Sequence, residues 1–350
     1  MRHIADGSIS RQNNFDFLRL MAAFFVLVSH QHALSGLPEP EIFRMSLGTF
    51  GVLIFFSVSG FLVSQSWRQD PSALRFAAKR FLRIWPGLAV VTLASAFLLG
   101  PAVSSLDPGA YFFHPALTDF LRTLKVVTIR YELPGVFEDN PHPRAVNGSL
   151  WTIPLEVRCY IVLLLLGCVG LMSRRWVILL GTIAAGVYYF RFAPDPKHYQ
   201  LHFGLYFFAG VCLDLFRRAW EDRPLYLLGV AGGIALVCQL LGADRAALLL
   251  LIPAVSLAVG MRAWPVLSRA GRFGDLSYGI YIYAFPVQQT VQWAGGKDLP
   301  FAAGLAATAV LTVACAWTSW HLVEQPALGL KRHLSAWRSV TAGLRRSRPQ

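Results

Sequence analysis

What most constrains this chain is a series of apolar stretches, recurring from Phe15 almost to the end, that are each about long enough to cross a bilayer. A hydrocarbon core of about 30 Å asks for about 17 to 25 helical residues. On that measure we expect spans near Phe15–Leu34, Gly48–Ser66, Ile84–Ser104, Leu150–Met172, Trp176–Phe192, Leu201–Phe216, Leu225–Leu241, Ala246–Gly260, Leu276–Trp293 and Phe301–Leu322, the sixth and eighth being short. A backbone surrounded by lipid satisfies its own polar groups only in helices or closed barrels. The expected class is therefore an all-α polytopic membrane protein of about ten transmembrane helices. Composition agrees. Of 350 residues, 55% are hydrophobic and 15% charged, against about 25% charged in soluble domains, which leaves too little polar surface to coat a globule of this size.

The formal charge of +13 would suggest nucleic acid in a soluble protein. No zinc spacing, arginine–glycine run or base-reading basic helix accompanies it, so no nucleic-acid partner is expected. Lys and Arg retained in cytoplasmic loops explain the excess. With the N-terminus placed inside, about 20 basic residues fall on the inner side and about 9 on the outer, which gives an N-in, C-in orientation. The organisation expected is a cytoplasmic segment over 1–14, a membrane domain over 15–322 and a basic cytoplasmic tail over 323–350. A long outer connection near 105–149 reads as a packed element, with a short interfacial helix over Asp119–Tyr131. The N-terminal residues lack the pattern of a cleavable leader, so the first stretch is expected to be a retained helix. The five cysteines lie in apolar runs without a CxxC and are expected as small buried hydrophobes, not metal ligands.

A charge at the centre of a spanning helix costs about 2.5 to 3.5 kcal/mol on insertion scales, so such residues face protein or a wet cavity. Four regions carry polar groups of interest. In FDFLRLMAAFFVLVSHQHAL, Arg19 and His30 are about three turns plus 20° apart, on one helix face and ~16 Å distant along the axis. Asp16 can pair with Arg19 on that face, while His32 points away. A snorkelling anchor or a packed imidazole would explain either residue alone; their shared face points to a site. KRFLRIWP puts Arg80 and Arg83 one turn apart, which fits positive-inside topology and a phosphate clamp equally well. In SLWTIPLEVRCY, Glu156 and Arg158 do not face each other, so each needs its own partner in the bundle; Glu156 is either a structural ion-pair member or an orienting group. In LSYGIYIYAFP, Ser277 and Tyr281 share a face suited to a polar groove, the alternative for the tyrosines being an interfacial belt.

Six segments in order, FDFLRLMAAFFVLVSH, GVLIFFSVSGFLVSQSW, RFLRIWP, SLWTIPLEVRCY, FGDLSYGIYIYAFPV and HLVEQPALGLKR, resemble the membrane acyltransferase-3 family over essentially the whole chain. That family includes enzymes that O-acetylate lipopolysaccharide, exopolysaccharide and nodulation-factor sugars. The resemblance implies that His30 is the catalytic histidine and Arg19 the basic residue ten intervening positions before it. Arg80 and Arg83 match the family's Arg-x-x-Arg, and Trp151 and Glu156 its fourth-helix motif. One departure is Ala284, where the family often has a histidine; it argues against a second catalytic histidine there.

Joined to the topology, the resemblance implies a multi-pass enzyme of the plasma (bacterial inner) membrane. It would move an acyl group, expected to be acetyl, from cytoplasmic acetyl-CoA or another acyl-CoA to a hydroxyl of a glycan or glycolipid on the far side. The donor is a co-substrate, and no permanently bound cofactor or metal is expected. Arg80 and Arg83, with Arg19, would hold the donor's phosphates, and its pantetheine arm would run along the first helix. His30 would act as general base or carry the acyl group covalently; Glu156 is a candidate orienting group. Trp151, Ser277 and Tyr281 are substrate-groove candidates. The rival is a transporter or flippase for an anionic or sugar substrate, with Arg19, Glu156 and Arg158 lining its path, although no inverted repeat is visible. A non-catalytic scaffold would leave the buried charges without a purpose.

Overall fold

The computed structural model describes residues 13–192, 199–296 and 298–331. Arg2, Arg11 and the tail cations from Arg332 onward, on which part of the orientation rests, lie outside the described residues. The elements in chain order are α1 (Phe15–Leu34), a small hairpin of β1 (Glu41–Ile42) and β2 (Met45–Ser46), α2 (Leu47–Gln69), α3 (Ala73–Ala94), α4 (Gly100–Val103), α5 (Pro108–Phe112), α6 (Pro115–Phe120), α7 (Ile153–Cys168), α8 (Arg175–Phe192), α9 (Tyr199–Leu215), α10 (Pro224–Leu240), α11 (Asp244–Gly260), α12 (Ser277–Gly295), α13 (Phe301–Ser319) and α14 (Gln325–Gly329). A helix occupies each of the ten expected stretches. Among the described residues, five helical stretches are long and apolar enough to cross a membrane: Phe15–Leu34, Leu47–Gln69, Ala73–Val103, Gly148–Cys168 and Phe301–Gly329. Apolar side chains also cover the outside. Ile183 and Val187 on α8, Val230, Ile234 and Val237 on α10, and Val310 and Leu311 on α13 are all exposed. In water such a surface would drive association, whereas lipid tails cover it without cost, as a membrane protein requires.

Helix α3 starts at Ala73 and not at Ile84, because its first turns are cationic and amphipathic instead of uniformly apolar. Asp70 anchors them, accepting from Arg75 Nε at 3.0 Å and Lys79 Nζ at 2.7 Å. The hydrogen bonds from Arg75, with Lys79 beside them, hold the Asp70 carboxyl well below the usual carboxylate range. The cysteines are free; Cys159 and Cys212 are buried as expected, but Cys168 is exposed.

Contacts divide the chain into two compact units. The first takes the chain up to Ser29, Glu39–Gln65 and Val169–Ser277; the second takes His30–Pro38, Ser66–Cys168 and the chain from Tyr278 on. In the first, Asn13 caps α1 by accepting from Phe15 N–H at 3.1 Å. Asn14 is wholly buried and ties that end to α11, its side-chain amide donating to the Val259 carbonyl at 3.1 Å. α2 meets α9 backbone to backbone. A Cβ on Gly60 would land on the Phe207 carbonyl, and one on Gly210 on the Ser57 carbonyl; small residues let helices approach this closely where lipid removes the hydrophobic driving force. Ser64 donates to the buried Asp214 at 2.7 Å across the same pair.

In the second unit α3 widens into a π turn at Ser95–Leu99 and continues as α4. Tyr111 of α5 is fully buried there and donates to the Ala96 carbonyl at 2.8 Å. Ala96, Val103, Leu117, Phe120, Val136 and Phe137 close around it, so the long connection is a packed element. Its course differs from the expected one. α6 passes into a 3-10 turn at Leu121–Lys125, which stops at Val126 with a φ of +65°, before the expected helix end at Tyr131. The turn also runs back along α3, where the Leu124 carbonyl accepts from Trp85 Nε1 at 3.2 Å.

Candidate functional site

The polar centre of the second unit forms where the end of the long connection meets α12. Pro286 lies inside α12 and has no N–H, so the carbonyl four residues before it, that of Ile282, loses its helical donor. Asn147 Nδ2 fills that vacancy at 2.8 Å. Gln289, one turn away, accepts from Asn140 at 2.8 Å and donates to the carbonyls of His142 and Ala145 at 2.8 and 2.7 Å. These bonds pin the segment preceding α7 to the α12 backbone. Gly148 packs so closely that a Cβ would come within 2.6 Å of the Phe285 ring.

His30 belongs to this centre. Its Nδ1 lies 3.2 Å from Ser149 Oγ, and its ring packs edge-on against Phe285, with centroids 5.4 Å apart. His142 packs against the same phenyl ring at 6.2 Å. Tyr281 donates its hydroxyl proton to the Ser149 carbonyl at 2.6 Å and lies 2.5 Å from Thr152 Oγ1. With its one proton spent, the tyrosine oxygen accepts there and Thr152 donates. Ser149, Thr152 and Tyr281 are all buried. Trp151 shares the 3-10 turn Gly148–Thr152 and is half-buried. The imidazole is thus held by a hydrogen bond at Nδ1 and by an aromatic ring, and the hydrogen bond to Ser149 leaves Nε2 uncommitted. Asn147 Oδ1 is buried without a hydrogen bond.

The arginine pair of α3 is built differently. Arg80 lies over the rings of Phe76 and Tyr160, 5.8 and 5.7 Å from their centroids, and Arg83 over Tyr278 at 5.7 Å. Such seats are worth about 0.5 to 2 kcal/mol each, and the Nε of Arg80 is buried without a hydrogen bond. Arg80 also lines a cavity of about 430 Å³ with Phe76, Trp85, Leu124, Lys125 and Tyr160. Glu156 accepts from the Tyr160 hydroxyl, so Arg80, Tyr160 and Glu156 stand in series. Tyr278 in turn donates to the Ile84 carbonyl at 2.7 Å.

In the first unit Arg19 forms an ion pair with Asp275, which also accepts from Ser277 Oγ at 2.6 Å. The expected Arg19 partner was Asp16; the partner found is Asp275, which reaches it from a distant part of the sequence. Arg158 is exposed, so its place is on the surface of its unit and not within the bundle. The structure therefore gathers the sequence candidates into three groups: His30 with Tyr281, Arg80 with Glu156, and Arg19 with Ser277. The linking residues, Ser149, Tyr160 and Asp275, went unremarked in the sequence. Each lies inside a quoted motif, and Asp275, two positions before a helix-starting serine, carried the plainest signal.

A family profile described as an acyltransferase domain matches residues 12–321. The chain is 32% identical to an O-acetyl transferase of Shigella phage Sf6, over 90% of this chain and 96% of that protein. It is 30% identical to Nodulation protein 10 of Rhizobium leguminosarum bv. viciae, over 96% and 99%. No solved structure matches it.

Proposed function

The chain belongs to the acyltransferase-3 family, and from that premise we propose that it is a membrane O-acetyltransferase that carries an acetyl group from cytoplasmic acetyl-CoA to a hydroxyl of an extracytoplasmic glycan or glycolipid. The single observation that carries the reading is His30 at 3.2 Å from Ser149 Oγ, packed against Phe285 in a buried polar setting. Ten crossings with both termini inside a bacterial inner membrane complete it, on the strength of the loop charges. The acetyl group comes from the name of the phage relative and the sugar acceptor from the sequence resemblance.

The chemistry follows from the imidazole. Nδ1–H donates to Ser149 Oγ, which leaves the Nε2 lone pair to accept a proton from the acceptor hydroxyl. The freed oxygen attacks the thioester carbonyl, the C–S bond breaks, and the CoA sulfur takes the proton that Nε2 had received. Ser149 acts on the substrate only through His30 and is a positioning residue. Arg80 and Arg83 hold the donor's phosphates, where a planar guanidinium matches paired oxygens. Arg19, already paired with Asp275, is a further phosphate candidate in its own unit. Glu156 accepts from the hydroxyl of Tyr160, whose ring Arg80 overlies. Trp151 and Tyr281 border the acceptor hydroxyl, and Ser277 holds Asp275 in place.

The test uses protein reconstituted in vesicles, with acetyl-CoA supplied to one face at a time, a panel of sugar hydroxyl acceptors on the other, and free thiol as the readout. Thiol release only with donor at the face bearing the basic loops supports the reading. Binding of CoA without turnover on any acceptor would remove the acetyl or sugar assignment, and absence of CoA binding would favour a transporter.

A further inference from the structure

The β1–β2 hairpin of the first unit turns through Phe43 and Arg44, both in the left-handed region with φ of +51° and +61°. Two-residue hairpin turns of this kind favour Asn and Gly, which adopt positive φ at little cost. A phenylalanine and an arginine hold it here under strain, and both line a cavity of about 510 Å³. That volume falls in the usual range of about 300 to 1,000 Å³ for ligand pockets. Strain of this kind persists where structure over-determines it, often at ligand-binding sites.

The other walls are mostly polar and aromatic, with Met45 and Leu248 as the aliphatic residues. His202 of α9 lies between Tyr189 of α8 and Tyr206, with ring centroids 5.4 and 5.3 Å away, and its Nδ1 is buried without a hydrogen bond. Asp244 and Arg245, at the start of α11, line it as well, together with Met45, Thr49 and Leu248. Arg44 and Arg245 against Asp244 leave a formal charge of +1 in the cavity (two cations less one anion). Phe43 is 60% exposed, a flat apolar face at the cavity's edge.

We propose that this cavity binds an acidic glycan, with a sugar carboxylate on Arg44 and Arg245, a sugar ring stacked on Phe43, and hydroxyls reaching His202 and Asp244. The C–H face of a pyranose meets the electron-rich face of an aromatic ring favourably, and guanidinium groups take carboxylates in paired hydrogen bonds. A lipid tail would meet Met45 and Leu248 but also the charged groups of Arg44, Asp244 and Arg245, which it cannot satisfy. The inference rests on the acceptor side of the function proposed above, in whose orientation the hairpin and the α10–α11 turn are extracytoplasmic. It adds the acceptor's charge and a docking site for it.

The experiment measures binding of a fluorescent hexamer of galacturonic acid to full-length protein in nanodiscs, with maltohexaose and glycerol phosphate as competitors. The expected result is binding to the wild type that maltohexaose and glycerol phosphate compete for poorly. The double variant Arg44→Gln/Arg245→Gln should bind at least tenfold more weakly. Phe43→Gly should lose several-fold in affinity while keeping or raising the melting temperature, since glycine relieves the strained φ; a merely structural phenylalanine would show the opposite. No binding of the acidic hexamer, equal binding by the arginine variant, or equal competition by glycerol phosphate overturns the proposal. Acetyl-CoA binding and thiol release on the same preparations report separately on the enzymatic reading, so either can fail while the other stands.

Discussion

Around His30 the polar side chains find partners on one another and on backbone carbonyls: Tyr281 to Ser149, Thr152 to Tyr281, Asn147 to the Ile282 carbonyl. Around Arg80 the partners are ring faces, those of Phe76 and Tyr160, beside a cavity. The first arrangement fixes an imidazole in place before any substrate arrives, which is what proton transfer at a defined atom demands. The second neutralises part of the cost of a cation in an apolar setting. Under the proposed function, the group proposed for proton transfer and the group proposed to anchor the donor differ in what holds them: a hydrogen bond for His30, ring faces for Arg80.

Substitutions that break this contrast should differ in kind as well as size. Gly148→Val would drive a side chain into Phe285 and displace the wall against which His30 packs. We expect transfer to fall at least about 100-fold, the scale set by misplacing reacting groups by an ångström, with acetyl-CoA affinity retained, as steady-state kinetics and a CoA-binding assay will show. Arg80→Gln should behave the other way. Losing a hydrogen bond to a charged group, about 1.5 to 3 kcal/mol, raises the KM for acetyl-CoA about ten- to a hundredfold with kcat little changed. Ser149→Ala removes one hydrogen bond to the imidazole, worth about 1 kcal/mol, so kcat should drop about fivefold and the pH–rate profile should shift, which a residue serving packing alone would leave in place. The smallest effect belongs to Asp70. Its folded carboxyl titrates below the usual range, so its stabilising contribution is present above the unfolded pKa of about 4 and is lost as pH falls toward the folded value. Asp70→Asn should lower the melting temperature slightly at pH 7, and the gap to wild type should narrow on acidification.

The sequence made the helices legible because lipid imposes length and apolarity on each one. It did less well where those demands lapse. The cationic first turns of α3 escape a search for spans because Arg75, Lys79, Arg80 and Arg83 make that face unlike one. The re-entrant course of Leu121–Lys125 escapes it because a return along α3 is a tertiary fact with no period of its own. For the site, the candidates His30, Arg80 and Glu156 stood out as charges or imidazoles in apolar surroundings. Their companions did not. Ser149 looks like any helix-preceding serine until Tyr281 is seen to hold its carbonyl. Asn147 gains a task only because Pro286, far along the chain, has left Ile282 without a donor. Arg19 found Asp275 instead of Asp16, since helical spacing names the neighbours on one helix and says nothing of those from another.

The most direct test of the central claim follows thiol release from acetyl-CoA by purified wild type and His30→Ala, on an acceptor that the wild type uses, with CoA binding measured on both. A loss of at least about 100-fold is expected for the variant, the usual scale for a general base, with CoA bound as tightly as before. Turnover by His30→Ala at the wild-type rate would contradict it.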